Sequence, residues 1–403
     1  MTVVADLHEA HGATFAERGG RRVVANYGRP DRAHGAVRNV VGVIEMGYGV
    51  VEVTGDDRVD FVDNAVSNRV PSEDGRGVYA LLLDPQGAVE TDLYVYNAGE
   101  RLLCFVPPQR AAPLAEEWAG KTFIQDVEVR VATDDLGVFG VHGPKATEKI
   151  ASVLTGPGTP DEPLSFVRGT LGDWGVTVVR TDDLTGEEGY EVICAAEDAA
   201  DVLDALVNHG LNAAPFGYDT WDGLTLEAGT PLFETELEGS VPNVVGVRNA
   251  LDFEKGCYVG QEVVSKIENR GRPSRRLVGL RPGALPDADA AVFDGDASVG
   301  AVTRAADSPT LETPVALALV DYGLEADAVT VRVDGEEVDA EDVTDPMRAG
   351  PGSRRSPLYR PEKRAPYGSQ RSAECRAERR TPSPPQDASG RGALTHLRNE
   401  KNG

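Results

Sequence analysis

Two apolar runs, Val78–Leu83 and Leu93–Tyr96, stand on either side of Asp84-Pro85-Gln86-Gly87. That tetrapeptide is strong turn chemistry, because proline presets one backbone angle and the aspartate and glycine suit the remaining corners. A second turn, Asn97-Ala98-Gly99-Glu100, follows before Arg101–Val106. Strands joined by such short connections predict an antiparallel meander, and any fold for this chain has to contain it. Just upstream, Gly49–Gly55 alternates at period two and reads as another strand. Val59, Val62, Ala65 and Val66 then recur at helical spacing, which predicts an amphipathic helix over 57–67.

The same reading predicts strands at 127–131, 136–141, 175–180 and 189–194, and helices at 109–118, 144–154, 197–209 and 218–228. Hairpins mixed with helices, without strict strand–helix alternation, make the fold class α+β. From about Arg276 to Val343 the text changes to short apolar runs, such as Leu277–Leu280 and Val315–Val320, cut by Gly, Pro and Asp. That is the pattern of a small antiparallel β-barrel. The expected organisation is a body over 1–275 with two subdomains, a barrel over 276–345 and a tail over 346–403. The tail is rich in Arg, Pro, Ser and Gly and lacks apolar periodicity, so it is expected to be disordered. It reads either as the product of a misread gene end or as a basic arm.

Charge narrows the partners. From Pro346 onward there are 13 Lys and Arg against 5 Asp and Glu; residues 1–345 hold 27 against 61, a net of −34. Such an acidic, lysine-poor body repels itself at low salt and tolerates concentrated salt, which suggests a halophilic cytosol. Nucleic acid is an unfavourable partner for it, with Lys266, Arg270, Arg272, Arg275 and Arg276 as the one local basic cluster. Four widely spaced cysteines without a C-x-x-C pair suit a reduced, cytoplasmic protein. No run approaches the roughly 20 apolar residues that would span a bilayer, so no membrane role is expected.

The densest chemistry lies in Lys255-Gly256-Cys257-Tyr258-Val259-Gly260-Gln261-Glu262. A lysine two positions from a cysteine favours the thiolate and a reactive sulfur. Equally, a small buried cysteine in a glycine-containing loop accounts for the same residues. This segment resembles the K-G-C-Y-x-G-Q-E signature of the YgfZ-type folate-binding proteins, relatives of the aminomethyltransferase (T-protein) of the glycine cleavage system. Thr54–Asn68, Thr185-Gly186-Glu187-Glu188-Gly189-Tyr190-Glu191 and Leu226-Glu227-Ala228-Gly229 resemble further blocks of that superfamily.

The resemblance implies an aminomethyltransferase-like, folate-binding α+β body followed by the barrel, with tetrahydrofolate or a derivative as cofactor. Glu191 would accept the N–H donors of the pterin edge, and Asp92 would lie near the reacting nitrogen. There a carboxylate stabilises an iminium-like cation or orients the attacking amine. Tyr79 and Tyr190 would offer faces to the ligand, and Lys255 and Cys257 a poised thiol. A solvated strand-end position is the alternative for each carboxylate, and simple packing for each tyrosine. Where the transferases carry a pair of aspartates this chain has Thr91-Asp92, and Tyr218 and Thr225 stand where arginines are expected.

Two functions follow from the resemblance. The first is folate-dependent assistance to iron–sulfur cluster assembly or repair, with consequences for tRNA modification and iron–sulfur proteins as partners. The second is aminomethyl transfer to tetrahydrofolate, with a lipoyl carrier protein as partner. A non-catalytic interaction module on the same scaffold is the third. His8 and His11 lack a third ligand, so no metal site is expected. Phosphate-loop, dinucleotide and serine-hydrolase motifs are missing from the sequence.

Overall fold

The computed structural model describes residues 2–325 and 328–342. The basic tail expected from residue 346 lies outside them. The predicted meander forms Arg76–Leu83, Val89–Asn97 and Arg101–Val106, and Gly49–Thr54 and Glu128–Val131 extend it into a five-stranded sheet. Leu81 pairs with Asp92 and Tyr79 with Tyr94, so those residues line up across the first hairpin.

A second sheet of seven strands runs in the order Leu154–Thr155, Phe166–Leu171, Trp174–Arg180, Gly189–Ala195, Leu136–His142, Gly42–Glu45 and Ala214–Pro215. Each sheet covers one face with helices. Arg58–Ala65 and Ala111–Ala119 bury Phe61, Leu114 and Trp118 against Val51, Leu93 and Val95 of the first. Ala146–Val153 and Ala199–Asn208 bury Ile150, Val202 and Leu206 against Phe139, Val141, Tyr190 and Val192 of the second.

The opposite faces meet each other. Tyr79, Leu81, Tyr94, Tyr96 and Phe105 from the first sheet share one core with Val138, Val179 and Ile193 from the second. Strand alternation decides this partition, since residues i and i+2 share a face while i+1 faces away.

Arg275–Pro282, Ala291–Asp294, Ala297–Ser308, Thr313–Asp321, Ala328–Val333 and Glu336–Asp342 close into an antiparallel barrel around Val278, Val292, Leu317 and Val331. The barrel is fastened to helix Tyr218–Glu227 and the turn after it. Arg304 Nε donates to Glu236 Oε1 at 3.0 Å and its Nη2 to Thr230 O at 2.7 Å, and the Ser308 hydroxyl donates to Glu227. Among the described residues no helix is long and apolar enough to cross a membrane.

Candidate functional site

The two sheets bring Asp92 and Glu191 to the ends of a row of tyrosines. Asp92 lies in the edge hairpin at an inward position, followed at two-residue steps by Tyr94 and Tyr96. The Tyr79 hydroxyl donates to Asp92 Oδ2 at 3.0 Å. Ring centroids then run from Tyr79 to Tyr94 at 4.7 Å and from Tyr94 to Tyr96 at 6.4 Å, the last pair 8° from parallel. Tyr96 packs edge-on against Phe105 at 5.5 Å, and Phe105 against Tyr48 at 5.7 Å. Tyr48 completes the row by donating its hydroxyl to Glu191 Oε1 at 2.8 Å. Tyr94 also donates to Asp182 Oδ1 at 3.1 Å.

Both carboxyls are held in unusual states. Glu191 is 4 % exposed, and burial pushes its pKa up to about 7 against the pull of the Tyr48 hydrogen bond. Burial likewise raises Asp92 to about 6, opposed by the Tyr79 bond, with Glu234 adding to the rise. The charged form of each is therefore costly until a donor or cation arrives. No guanidinium or ammonium forms an ion pair with either among the described residues. A reduced pterin presents a line of N–H donors of the kind Glu191 can accept. Asp92 and Tyr48 keep partial solvent access at the two ends of the row. A surface cavity of about 220 Å³ opens beside Tyr27 and Arg29, and another of about 440 Å³ beside Glu52 and Arg130. Neither is lined by Asp92, Glu191 or the tyrosines of the row.

Tyr190 is a correction. It occupies the position next to Glu191 in the same strand, so alternation sends it through the sheet to the helix-covered face. Its hydroxyl lies 2.8 Å from Thr147 Oγ1, and the Arg180 guanidinium carbon sits 5.3 Å from its ring centre. It cannot share a ligand with Glu191.

Lys255 is a second correction. Its ammonium reaches Asp63 Oδ1 at 2.9 Å and the carbonyls of Asp63 and Asn68, the latter at 2.8 Å. A lysine so neutralised holds down the C-terminal end of helix Arg58–Ala65 and does not serve to ionise a thiol. Cys257 itself is exposed, whereas Cys104 and Cys194 are buried.

The segment carrying these residues does reach the central core. Tyr258 and Val264 belong to it, and Gly260 makes that approach possible. At φ +78° a Cβ on Gly260 would stand 2.6 Å from Asp84 O and 3.0 Å from Gly87 Cα. The loop thus rests on the turn of the hairpin that carries Asp92.

The two positions lacking an arginine receive one from elsewhere in space. Arg304 of the barrel donates from Nη1 to Thr225 Oγ1 at 3.3 Å. The Arg18 guanidinium carbon lies 4.7 Å from the Tyr218 ring centre, while the Tyr218 hydroxyl accepts the Gly47 N–H at 2.8 Å. Each arginine is already matched, Arg304 to Glu236 and Arg18 to Asp222 and Glu234. Arg38 is matched in the same way to Glu227 at 2.8 Å and reaches the carbonyls of Thr185 and Leu224.

Sequence reasoning left out Tyr48, Tyr94, Tyr96 and Asp182. For Tyr94 and Tyr96 a signal existed, because their two-residue steps from Asp92 place all three on one face. Tyr48 lies between strands, where no periodicity applies.

Comparison with known proteins bears on this arrangement. Residues 4–255 match the family model of the GCVT N-terminal domain, and residues 275–347 that of the glycine cleavage T-protein C-terminal barrel domain. An aminomethyltransferase of Saccharopolyspora erythraea is 31% identical over 346 residues, covering 83% of this chain and 93% of the relative. One of Bacillus subtilis is 28% identical over 328 residues, covering 79% and 90% respectively. The crystal structure of glycine cleavage system aminomethyltransferase T from Bartonella henselae superposes with a TM-score of 0.76 at 23% identity. It covers 86% of this chain and 97% of that one, a likeness of fold. A body with two facing sheets, a closed barrel and relatives matched over most of their length place this chain in the GCVT family of glycine cleavage T-protein-like aminomethyltransferases.

Proposed function

We propose that this protein is an aminomethyltransferase that moves a one-carbon unit from an aminomethyl donor to tetrahydrofolate, with Glu191 and Asp92 as its working carboxyls. The observation that carries this reading is the state of Glu191. Among the described residues it is a buried carboxyl with one O–H donor, Tyr48, and acceptor capacity left over. A ligand edge with adjacent N–H groups relieves the cost of ionising it and is oriented by doing so.

Bound tetrahydrofolate supplies the two amine nitrogens to which the transferred carbon becomes attached. In exchange that carbon loses its bonds to the donor sulfur and nitrogen, and thiol and ammonia leave. The chain contributes the rest. Glu191 and Tyr48 fix the pterin end. Tyr79, Tyr94 and Tyr96 provide apolar faces and exclude water along the row. Asp92, with a pKa near 6, exists in both protonation states close to neutrality. It can therefore take a proton from an attacking amine or balance cationic charge on the carbon in flight. The Tyr79 hydroxyl fixes the orientation of the Asp92 carboxyl for either task.

Purified protein in concentrated salt, given tetrahydrofolate and an aminomethyl-loaded lipoyl carrier, should form 5,10-methylenetetrahydrofolate and release ammonia in equal amounts. Binding of tetrahydrofolate without any such product overturns the reading.

A second reading is favoured by one feature, the exposed Cys257 within the Lys255–Glu262 signature. Under it, the folded body holds folate while the thiol assists iron–sulfur cluster repair and, through it, tRNA modification. Cys257→Ser separates the two. Methylene transfer is unchanged in that variant under the first reading, while iron–sulfur enzyme activity in cells falls under the second.

A further inference from the structure

His142 ends the central strand Leu136–His142, and its side chain faces the core between the two sheets. The residue is 0 % exposed, and neither ring nitrogen has a hydrogen-bond partner among the described residues. A buried imidazole in that condition costs free energy that an apolar side chain of similar size would avoid. The strands around it are shaped to admit it. Its register partners on either side are glycines, Gly42 and Gly189, and the residue two positions before it is Gly140. A Cβ on Gly140 would come within 2.6 Å of His142 Nε2. One on Gly189 would come within 2.6 Å of Nδ1 and 2.4 Å of the Thr181 hydroxyl, which is likewise buried without a partner.

The direction in which the ring leans is informative. Gly140 is the register partner of Glu191, and Nε2 occupies the space over Gly140 where a side chain would otherwise stand. Neighbouring strands are about 4.8 Å apart. The imidazole thus stands over the position next to Glu191 across the strand ladder, on the same face of the sheet. Trp221 packs edge-on against the ring, with its centroid 5.2 Å away.

We propose that His142 Nε2–H donates a hydrogen bond to the 4-oxo oxygen of the pterin whose adjacent N–H donors are taken by Glu191. This deepens, and rests on, the folate reading above. Along the recognised edge a pterin presents a carbonyl acceptor, then a ring N–H, then an exocyclic amine. A carboxylate satisfies the last two and leaves the carbonyl in need of a donor beside it. The imidazole is suited to that need because burial keeps it neutral, with its pKa pushed down to about 3, so one ring nitrogen carries a proton and the other accepts.

The test compares tetrahydrofolate with its 4-deoxo analogue by calorimetry on the full-length protein and on His142→Leu and His142→Gln. Wild type should prefer tetrahydrofolate by about tenfold more than His142→Leu does. His142→Gln, which keeps an N–H donor, should restore most of the preference. Equal preference in wild type and His142→Leu overturns the proposal, as does a loss of melting temperature in both variants with affinity for both ligands reduced alike. The latter outcome marks a histidine that holds only a buried water. Should His142→Leu fail to fold, nitrogen-15 spectra of histidine-labelled wild type give the answer. The Nε2 resonance of His142 moves with tetrahydrofolate and not with the analogue if the bond exists. Failure of wild type to bind tetrahydrofolate at all sinks the folate reading itself. Binding with a silent His142 sinks this inference alone.

Discussion

Replacing Glu191 by glutamine should make the protein more stable in alkali relative to wild type while crippling its ligand site. The folded carboxyl has a pKa near 7 against an ordinary 4.5, and desolvation is the chief cause. The folded state therefore grips the proton more tightly than the unfolded chain does. The resulting stabilisation is complete below pH 4.5 and is lost as pH climbs through 7. At about 1.4 kcal/mol per pH unit, this one group makes wild type lose roughly 3 kcal/mol across that window. Glutamine keeps an oxygen for the Tyr48 hydroxyl and does not titrate. Urea unfolding at pH 5 and pH 8, followed by tryptophan fluorescence in concentrated salt, compares the two chains. The stability of Glu191→Gln relative to wild type should rise by about 3 kcal/mol between those pH values. Any constant offset from the extra amide donor cancels in that difference. A gap that stays fixed to within about 0.5 kcal/mol refutes the idea that Glu191 is desolvated and unpaired. Ligand binding should follow the same proton. Wild type gains affinity for tetrahydrofolate as pH rises toward 7, and Glu191→Gln binds roughly ten- to a hundredfold more weakly throughout.

Further outcomes follow from other side chains. Asp92→Asn should retain tetrahydrofolate affinity within about threefold yet lower kcat by about a hundredfold or more, read in the methylene-transfer assay. Lys255→Met should cost about 3 kcal/mol in urea unfolding by stranding Asp63 and two carbonyls. The rate at which Cys257 reacts with a disulfide reagent across pH should not change, because the lysine is committed elsewhere. Lys149 is buried and caps helix Ala199–Asn208 through the carbonyls of Ala205 and His209. Burial lowers its pKa to about 8 from 10.5, so the folded state releases that proton first and stability rises between those values. Lys149→Met should abolish that rise and lower the melting temperature at neutral pH.

Much of the α+β body was legible because its signals are local. The turn Asp84–Gly87 marked the first hairpin between two apolar runs, and period-two alternation marked Gly49–Gly55 as a strand. Helices at Ala146–Val153 and Ala199–Asn208 followed from apolar spacing, and the run of short strands after residue 275 from its punctuation. Helix Pro30–Asn39 went unread, because its polar composition hides a stripe formed only by His34 and Val37. Within the site, Asp92 and Glu191 were found by their motifs, but Tyr190 was misplaced by setting motif membership above strand parity. Lys255 shows the other limit. Its partner Asp63 is 192 residues away in sequence, and proximity to Cys257 along the chain carried no information about where the ammonium would go.

The fastening of the barrel to helix Tyr218–Glu227 has a consequence for how a substrate gets in. Swinging the barrel away would strand Glu236, whose side chain is 0 % exposed, without Arg304, and Glu227 without Ser308. Breaking one buried charge pair by removing a partner costs about 3–5 kcal/mol, which would leave such a gaping conformer at roughly one molecule in two hundred to one in five thousand. The hairpin that carries Asp92 is pinned in turn by the loop on its corner, where Gly87 and Gly260 lie back to back and leave no room for a side chain on Gly260.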